Sequence, residues 1–316
     1  SDALNVCRDG RLSGPHISQL FIQGVLSTGC NVYNLDLGPT PLLYFSTFKT
    51  SVKNGVMITG SHNPKNYNGF KIVVDQKPLS GESITEIKNL IESEDFICGE
   101  GKEQKISLLE NYQNEIKSKI KLKRDLKIVL DCGNGAGGSV APALFKDLGI
   151  ELIELYSEVD GNFPNHHPDP GNPENLKDLI IKVKENKAQL GIALDGDADR
   201  LGVVDNLGNI IFPDQYMSLI ADHILKNNSG RKIVFDVKCS SKLKESITKS
   251  KGIPIMTRTG HSFIKKEILK QNAILGGEMS GHIFFNDDWY GFDDGIYSAL
   301  RLIEIIAQSE DSSAEM

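Results

Sequence analysis

The chain has 316 residues, of which 39% are hydrophobic and 24% charged, and its formal net charge is −7. This length and composition are typical of a globular protein with two or three domains. The negative net charge and the lack of a cluster of basic residues argue against binding to nucleic acid or to an anionic membrane. Five widely spaced cysteines without a Cys-x-x-Cys pair favour neither a disulfide framework nor a zinc site, so we expect a cytoplasmic protein.

The same order of elements recurs three times along the chain. The first unit is predicted as a strand over 4–7, a helix over 17–27 and a second strand over 30–37. Two near-identical pentapeptides, Lys127–Asp131 and Lys232–Asp236, each open a strand, a polar turn and a helix that closes at a glycine. This pattern predicts domain duplication. We expect an α/β protein of three tandem similar domains with mixed sheets, at residues 1–106, 107–209 and 210–316.

Two helices are predicted near the end of the first domain. Ser83 and Glu86 have the spacing of a capping box, and isoleucines share one face of the helix that would follow. A charged stretch over 100–105 leads into a second amphipathic helix that contains Tyr112 and Ile116. The first domain boundary is placed near this second helix.

Ser61 lies in a sharp turn after a predicted strand. The apolar run over 56–59 predicts a buried strand, and the Gly-Ser-His-Asn-Pro sequence that follows must turn at its end. Such loops commonly bind ligands in α/β proteins, and His62 and Lys71 are near enough in sequence to tune a hydroxyl there. The functional interpretation is a serine that accepts a phosphoryl or acyl group. The structural alternative is a turn serine that bonds its own backbone.

Three aspartates, Asp195, Asp197 and Asp199, alternate with small residues between two apolar strands. Like charges this close repel each other unless a cation lies among them, and hard oxygen ligands suit Mg²⁺ or Ca²⁺. An EF-hand is excluded, because its sixth and twelfth positions would be Arg200 and Asn206. With the adjacent arginine, the carboxylates indicate a Mg²⁺ ion that also meets a phosphate, and the alternative is a solvated acidic turn.

Several polar loops of the third domain follow predicted strands. Glu278, Ser280 and His282 alternate with other residues after an apolar run, and they offer donors and acceptors of the kind that bind sugar hydroxyls. Lys238 and His261 lie in two further loops of the same domain. We expect these loops to face one cleft, although a lone histidine is more often structural than catalytic.

Two other patterns have structural alternatives that we favour. His166 and His167 could bind a metal, but they lie in a proline-rich stretch that is typical of a surface loop. A G-x-G-x-x-G sequence over 133–138 satisfies the dinucleotide fingerprint, with Glu154 near the end of the next strand. Because the same turn recurs in the other domains without those glycines, an NAD(P)-linked oxidoreductase remains only an alternative.

Taken together, the motifs resemble those of the α-D-phosphohexomutases, most closely the bacterial phosphomannomutase/phosphoglucomutase branch. The resemblance runs through the whole chain. It rests on Arg8-Asp9-Gly10-Arg11-Leu12-Ser13-Gly14, the serine loop with its continuation to Val73, the acidic loop Asp195–Arg200, and Gly277-Glu278-Met279-Ser280-Gly281-His282. It implies interconversion of hexose 1-phosphate and 6-phosphate, of mannose and/or glucose, through a phosphoserine enzyme. Mg²⁺ and a hexose 1,6-bisphosphate, as intermediate and activator, are the implied cofactors.

The resemblance also implies a role for each site residue. Ser61 would carry the phosphoryl group. Catalytic roles would fall to Ser61, His62, Lys71, Arg11, Arg200 and His282, with His282 or Lys71 as the candidate general base. Substrate binding would fall to Lys238, His261, Glu278, Ser280 and His282. The metal ligands would be Ser61, Asp195, Asp197 and Asp199.

Two departures from the family pattern affect the expected activity. The family has a fourth domain that binds the non-reacting phosphate, and an opening strand, and neither is recognised in this chain. Since remote binding energy helps to drive the chemistry, we expect impaired turnover of the phosphohexose substrate by what would be a monomer. The alternatives are a metal-dependent phosphatase, which would release phosphate to water, and a non-catalytic sugar-phosphate-binding fragment.

Overall fold

The first domain is built on a six-stranded sheet. The structure is a computed structural model that describes residues 3–79 and 81–316. In chain order this domain contains β1 (Ala3–Arg8), α1 (Gly14–Leu26), β2 (Asn31–Leu37), α2 (Thr40–Lys49), β3 (Gly55–Ile58), β4 (Phe70–Val74), β5 (Lys77–Pro78), α3 (Glu82–Glu92) and β6 (Glu103–Lys105). The strand order is β5-β4-β3-β1-β2-β6. Strands β1, β2, β3 and β6 run parallel, whereas β4 and β5 close the edge antiparallel.

The second domain contains a five-stranded sheet of order β11-β10-β9-β7-β8. Its elements are α4 (Leu109–Lys119), β7 (Lys127–Asp131), α5 (Ala141–Asp147), β8 (Glu151–Leu155), α6 (Lys177–Asn186), β9 (Leu190–Leu194), β10 (Leu201–Asp205) and β11 (Ile210–Ile211). Because β11 still pairs with β10, this sheet continues past residue 209, where the boundary is predicted.

The third domain contains a four-stranded sheet of order β13-β12-β14-β15. Its elements are α7 (Pro213–Leu225), β12 (Lys232–Asp236), α8 (Ser241–Lys249), β13 (Ile253–Thr257), α9 (His261–Gln271), β14 (Leu275–Gly277), β15 (Ile283–Phe285) and α10 (Gly295–Gln308). The two repeated pentapeptides of the sequence are thus β7 and β12, which begin and end where they are predicted.

One strand arrangement is common to all three domains. A central strand (β1, β7 or β12) has its successor (β2, β8 or β13) on one side and the following strand (β3, β9 or β14) on the other, all parallel. The next strand (β4, β10 or β15) then pairs antiparallel with the third. The prediction of three similar α/β domains with mixed sheets is confirmed. Each domain therefore has an equivalent connection between its third strand and the antiparallel one.

Helix α2 is an element that the sequence patterns do not reveal. Nearly all of its residues are buried, and Leu43 and Phe45 are completely inaccessible to solvent. A helix that is surrounded by protein has no polar face, so its sequence lacks the helical alternation of polar and apolar residues. It packs within a hydrophobic core that continues through all three domains and includes Leu130 and Phe235. The domains are thus joined by shared apolar packing.

Helix α3 begins differently from the prediction. Gly81 precedes its first turn with a φ of 60°, and no side chain caps the helix. Ser83 therefore lies inside the first turn, and the predicted capping box of Ser83 and Glu86 is wrong. The positive φ, which glycine adopts without steric cost, puts the N-cap at Gly81, two residues before Ser83. Within the described ranges, no helix has the length and apolar character of a membrane span.

Candidate active site

Three of the predicted motifs lie on the equivalent connections of the three domains. Ser61 is on the β3–β4 connection, the three aspartates are on the β9–β10 connection, and the third-domain residues from 278 to 282 are on the β14–β15 connection. The second-domain loop touches both others. A Cβ on Gly196 would lie 2.5 Å from the Ser61 carbonyl oxygen, and the Leu201 amide donates a hydrogen bond of 3.1 Å to the Gly281 carbonyl. Domain duplication therefore brings three different motifs to one place.

Arg11 holds the serine loop in shape. Its side chain is completely buried, and its Nε donates a hydrogen bond of 3.1 Å to Asp9. The four remaining N–H groups donate at 2.6 to 3.0 Å to the backbone carbonyls of Ser61, Asn63, Pro64 and Tyr67. All five donors of the guanidinium are thus used within the protein. This geometry supports the positioning part of the role expected for Arg11 and leaves no donor for a substrate.

The Ser61 hydroxyl points at side chains and not at its own backbone. Ser61 has a φ of 48° and is 9% exposed. Its Oγ donates a hydrogen bond of 3.0 Å to Asp195 Oδ2 and lies 3.3 Å from His62 Nδ1. Burial, and then the positive charge of Arg200, lower the pKa of His62, so a neutral imidazole lies beside the hydroxyl. The serine of one domain therefore meets the acidic loop of the next, which is not how a turn serine behaves.

The three aspartates form a buried cluster with converging oxygens. Asp195, Asp197 and Asp199 are each fully buried, and one oxygen of each lies within 4.8 Å of the others. Burial, and next the negative charges of its two neighbours, raise the pKa of Asp195 well above its usual range. Among the residues that the structure describes, Oδ1 of Asp197 and Oδ1 of Asp199 have no hydrogen-bond partner. Unpartnered, converging carboxylate oxygens fit a hard divalent cation such as Mg²⁺.

Lys71 reaches the same carboxylates from the first domain. Its Nζ lies 2.6 Å from Asp197 Oδ2 and 2.5 Å from Asp199 Oδ2. Burial disfavours the ammonium, but the two carboxylates outweigh it and raise the pKa of Lys71 well above its usual value. Burial likewise opposes ionisation of Asp197, yet Lys71 holds the pKa of Asp197 below its usual range. Lys71 is therefore a cation in this geometry, which suits charge stabilisation better than proton abstraction.

His282 is held by Arg200 through one ring nitrogen. It is 4% exposed, its Nε2 accepts a hydrogen bond of 3.0 Å from Arg200 Nε, and its Nδ1 lies 3.0 Å from Asp293 Oδ2. The Arg200 amide also donates to Asp195 Oδ1 at 3.1 Å. Arg200 and His282 are thus brought against the acidic loop as expected. In this arrangement His282 has no free lone pair with which to act as a general base.

The polar loops of the third domain converge through Asp236. This buried carboxylate ends β12, and it accepts hydrogen bonds from the Thr259 hydroxyl at 2.8 Å and from the Met279 amide at 3.2 Å. Glu278 accepts from the Gly260 amide at 2.5 Å and from the Ser280 hydroxyl at 2.9 Å. The loops that follow three neighbouring strands are therefore tied together.

His261 and Lys238 differ in how far they are fixed. The ring of His261 stacks on that of His282 with centroids 5.6 Å apart, while 38% of its side chain is exposed. Burial, and next the positive charge of Lys265, lower the pKa of His261 to about 3. Lys238 is exposed on the turn after β12 and makes no hydrogen bond or ion pair with the described residues. The structure groups His261 with the site and leaves Lys238 free at its border.

Two further residues belong to the site. Thr40, the first residue of α2, donates its hydroxyl to Asp197 Oδ2 and its amide to the Asp197 carbonyl at 2.9 Å. Asp293 is completely buried between His282 and Lys265. No pattern in the sequence marks Thr40, which lies in an apolar run. Asp293 lies in the Gly-Phe-Asp-Asp-Gly sequence over 291–295, whose adjacent acidic residues did offer a signal.

The glycine-rich turn of the second domain supports the acidic loop. A Cβ on Gly135 would lie 2.8 Å from the Gly196 carbonyl oxygen, and a Cβ on Gly138 would lie 2.0 Å from the Ser157 carbonyl oxygen. The Ala136 amide donates to the same Gly196 carbonyl at 2.9 Å. The close approaches that these glycines permit are made by the protein's own backbone. The turn is thus architectural, and its geometry offers nothing for a dinucleotide.

His166 is bonded inside the second domain. Its Nε2 lies 2.9 Å from Asp131 Oδ2, and its Nδ1 lies 2.9 Å from the His167 carbonyl oxygen. Burial disfavours the imidazolium, but the hydrogen bond and charge of Asp131 outweigh it and raise the pKa of His166. The two histidines therefore do not act as a pair, since one ring is occupied by an aspartate.

Comparison with protein families identifies three domain types in the chain. The family models for phosphoglucomutase/phosphomannomutase α/β/α domain I, domain II and domain III match residues 1–97, 109–208 and 212–316, respectively. The matches follow the order of the three sheets.

Individual relatives agree with these matches. A phosphomannomutase/phosphoglucomutase from Pseudomonas syringae pv. tomato is 53% identical over 99% of this chain, and one from Pseudomonas aeruginosa is 51% identical over 98%. The chain spans about two thirds of the length of these curated relatives, 67% and 66%. A crystal structure of a phosphoglucomutase/phosphomannomutase family protein from Burkholderia thailandensis superposes with a TM-score of 0.97 at 45% identity, covering 100% of this chain and 70% of that one.

Proposed function

The chain belongs to the phosphoglucomutase/phosphomannomutase family, and on that premise we propose that it is a phosphohexomutase. It would interconvert hexose 1-phosphate and 6-phosphate, of mannose and/or glucose, with Ser61 as the phosphoryl carrier. The observation that carries this proposal is the 3.0 Å contact of the Ser61 hydroxyl with Asp195 across the interface of two domains. This contact supports the proposal because the Ser61 hydroxyl lies beside a buried set of carboxylates that fits a metal ion.

The proposed reaction has two transfers. The 6-hydroxyl of a hexose 1-phosphate attacks the phosphorus of phosphoserine 61, the bond from phosphorus to Oγ breaks, and a 1,6-bisphosphate forms. The other phosphate then passes back to Oγ, and hexose 6-phosphate leaves. The proton of the attacking hydroxyl needs an acceptor, and His62, a neutral imidazole 3.3 Å from Oγ, is the nearest candidate in this geometry.

Asp195, Asp197 and Asp199, with an oxygen on Ser61, would hold Mg²⁺. When bound, the ion supplies positive charge against the transferring phosphoryl group. The chain's own cations, Lys71 and Arg200, face the same place, and they would orient the phosphoryl oxygens. Burial of Ser61 limits access of water to the phosphoserine, which favours transfer to a sugar over hydrolysis.

The third-domain loops would hold the sugar. The Ser280 hydroxyl donates a hydrogen bond to Glu278, and Ser280 is only half-buried. Its hydroxyl can therefore rotate toward a hydroxyl of the sugar. Lys238 would meet a phosphate of the substrate, because it is exposed and has no partner in the described part of the chain. The His261 side chain is 38% exposed, and its exposed part would meet the substrate at the same border.

Turnover by the 316-residue chain tests the proposal. Phosphorus NMR follows glucose 1-phosphate or mannose 1-phosphate with Mg²⁺ and a catalytic amount of the 1,6-bisphosphate, beside Ser61→Ala. We expect the 6-phosphate to accumulate with the native serine only. Inorganic phosphate as the product would identify a phosphatase, and substrate binding without either product would identify a non-catalytic binding protein. Either of these results would overturn the proposed function.

A further inference from the structure

A tight turn of the second domain packs against the first domain at Arg11. The turn runs from Asp160 to Phe163 and is closed by a hydrogen bond of 2.9 Å from the Phe163 amide to the Asp160 carbonyl. Inside it, a Cβ on Gly161 would lie 2.9 Å from Arg11 Cα and 2.6 Å from the Leu12 nitrogen. The lack of a side chain at Gly161 permits this close approach of two backbones. The turn therefore forms part of the interface between the two domains.

The ring of Phe163 lies against the Arg11 guanidinium. The guanidinium carbon is 5.3 Å from the centre of the ring, and the Arg11 side chain is completely buried. The five N–H donors of Arg11 are all used, by Asp9 and by four carbonyls of the serine loop. The face of the cation is left for an aromatic ring, and this attraction is strongest where water is excluded.

Phe163 occupies this position at a conformational cost. Its φ is 49°, in the left-handed region that bulky side chains rarely adopt. The backbone around it is fixed by two further hydrogen bonds. The Asp160 amide donates to the Asn134 carbonyl at 3.0 Å, and Asp160 Oδ1 accepts from the Asn162 amide at 2.9 Å. A residue in such a conformation persists only when its surroundings enforce it, and such residues cluster at active sites.

The glycine-rich turn of the second domain supports both Phe163 and the acidic loop. It contains Asn134, which anchors the turn that carries Phe163, and Ala136, whose amide donates to the Gly196 carbonyl of the acidic loop at 2.9 Å. On the other side of Phe163, Arg11 bonds the carbonyls of the serine loop. One rigid part of the second domain is therefore connected to both loops.

We propose that Phe163 is a positioning residue that keeps water from the Arg11 guanidinium and thereby fixes the serine loop relative to the acidic loop. Without the ring, water would compete for the loop carbonyls that Arg11 now bonds. This inference rests on the proposed function for its kinetic consequence, since it assigns the serine loop to phosphoryl transfer. The protection of Arg11 is a property of the folded chain and is independent of any substrate.

Nitrogen-15 NMR of arginine-labelled protein measures how fast the Arg11 Nε–H exchanges with solvent. We expect a slowly exchanging signal, assigned as the one that Arg11→Lys loses. Phe163→Leu removes the aromatic face and should speed the exchange about 10-fold or more. Phe163→Tyr keeps an aromatic face and should retain the slow exchange. Exchange that stays slow in Phe163→Leu, or that becomes equally fast in Phe163→Tyr, would overturn the proposal.

Phe163→Gly separates the ring from the backbone. Glycine adopts the left-handed φ without strain, so a role of the backbone alone predicts no loss in this variant. We expect exchange as fast as in Phe163→Leu, and slow exchange would contradict a role for the ring. Phe212→Leu is the matched control, on a side chain that is 48% exposed, and should leave the Arg11 signal unchanged. If it speeds the exchange as much as Phe163→Leu does, the effect is a general loosening and the proposal fails.

Steady-state kinetics test the consequence for the reaction. Phe163→Leu is expected to lower kcat about 10-fold or more with little change in KM, because the serine loop and not the sugar-binding loops would be displaced. Phe163→Tyr should recover most of that loss. A higher KM with constant kcat would overturn the proposal. A chain in which Phe163→Leu speeds the Arg11 exchange as expected, but which has no mutase activity, would instead count against the proposed function alone.

Discussion

The serine and acidic loops differ from the third-domain loops in how much of their geometry exists before a substrate binds. Arg11 and the three aspartates are buried, and Ser61 already contacts Asp195. Around the third-domain loops, Lys238 is exposed and the His261 side chain is 38% exposed. We call the serine and acidic loops the transfer side and the third-domain loops the sugar side. Packing between domains fixes the geometry of the transfer side, whereas the sugar side keeps exposed groups that a ligand can bind. Changes on the first side should affect stability and kcat, and changes on the second should affect KM.

Arg11→Lys is expected to have the largest effect. A lysine has three donors where the guanidinium has five, so buried carbonyls of the serine loop lose their partners. Each such group costs about 1–3 kcal/mol, and we expect the first domain to lose about 3 kcal/mol or more of its free energy of unfolding. Native-state hydrogen exchange in increasing urea measures this for the amides of residues 59–68.

Arg8→Lys is the control for that change. Arg8 pairs with Asp36 at 2.7 Å, and the Asp36 side chain is 55% exposed, so the substitution should change the stability by less than about 0.5 kcal/mol. Equal losses in the two variants would contradict the idea that the serine loop is held by Arg11.

Asp197→Asn should weaken Mg²⁺ binding by at least about 100-fold, since it removes a charged ligand from the cluster and not merely a supporting partner. Isothermal calorimetry with Mg²⁺ alone measures this without a substrate. Asp288→Asn, on a side chain that is 60% exposed and pairs with Lys119, should bind Mg²⁺ like the native chain. If Asp197→Asn bound Mg²⁺ as tightly as the native chain, the ion would have to lie elsewhere. The acidic loop would then not differ from the third-domain loops by holding the metal.

Lys238→Ala is expected to raise KM about 10-fold or more, the scale of one hydrogen bond to a charged group, with kcat and stability little changed. Its exposed position predicts that folding does not depend on it. Steady-state kinetics separate KM from kcat, and Lys244→Ala on the exposed face of α8 is the control. A fall in kcat with constant KM would mean that Lys238 acts in phosphoryl transfer. The proposed division between loops that set kcat and loops that set KM would then be wrong.

His166→Gln should have the smallest effect and should depend on pH. The pKa of His166 is raised in the folded chain by Asp131, despite the opposing effect of burial. A raised pKa means that the contribution to stability is complete below about pH 6.5 and is lost as the pH rises through the folded-state pKa. We expect the variant to be about 1 kcal/mol less stable than the native chain at low pH and equal to it at high pH.

Thermal unfolding at about pH 6 and about pH 8 measures this difference. His167→Gln is the control, because the His167 ring has no acidic partner in the described ranges. A loss that grows with pH would have the wrong sign for a hydrogen bond between His166 and Asp131. The contribution of the His166–Asp131 contact to stability would then need another explanation.

Much of the fold and the location of the site follow from local sequence signals. The strands β7 and β12 are short apolar runs bounded by charged and turn-forming residues. The apolar run and its flanking residues are enough to predict each strand. The acidic loop is predicted because its like charges need a cation wherever they lie in space. Helix α2 is different, since complete burial removes the polar face that reveals a helix.

The partners of the site residues could not be predicted in this way. Arg11 bonds carbonyls about fifty positions further along the chain, and carbonyls have no signature in a sequence. Asp293 acquires its position from His282 and Lys265, which come from a different strand end and from a helix. The sequence was enough to predict which residues could bind a metal or carry a phosphoryl group. The contacts that hold those residues in place could be found only from the tertiary structure.

The most direct test of the account is the site of phosphate transfer itself. The chain is incubated with Mg²⁺ and glucose 1,6-bisphosphate, and intact mass with phosphopeptide mapping follows, beside Ser61→Ala. We predict one phosphate on Ser61 that requires Mg²⁺, is removed by glucose 1-phosphate and is absent from the variant. Phosphate on another residue, or equal labelling of Ser61→Ala, would contradict the claim that three equivalent loops assemble one phosphoryl-transfer site around this serine.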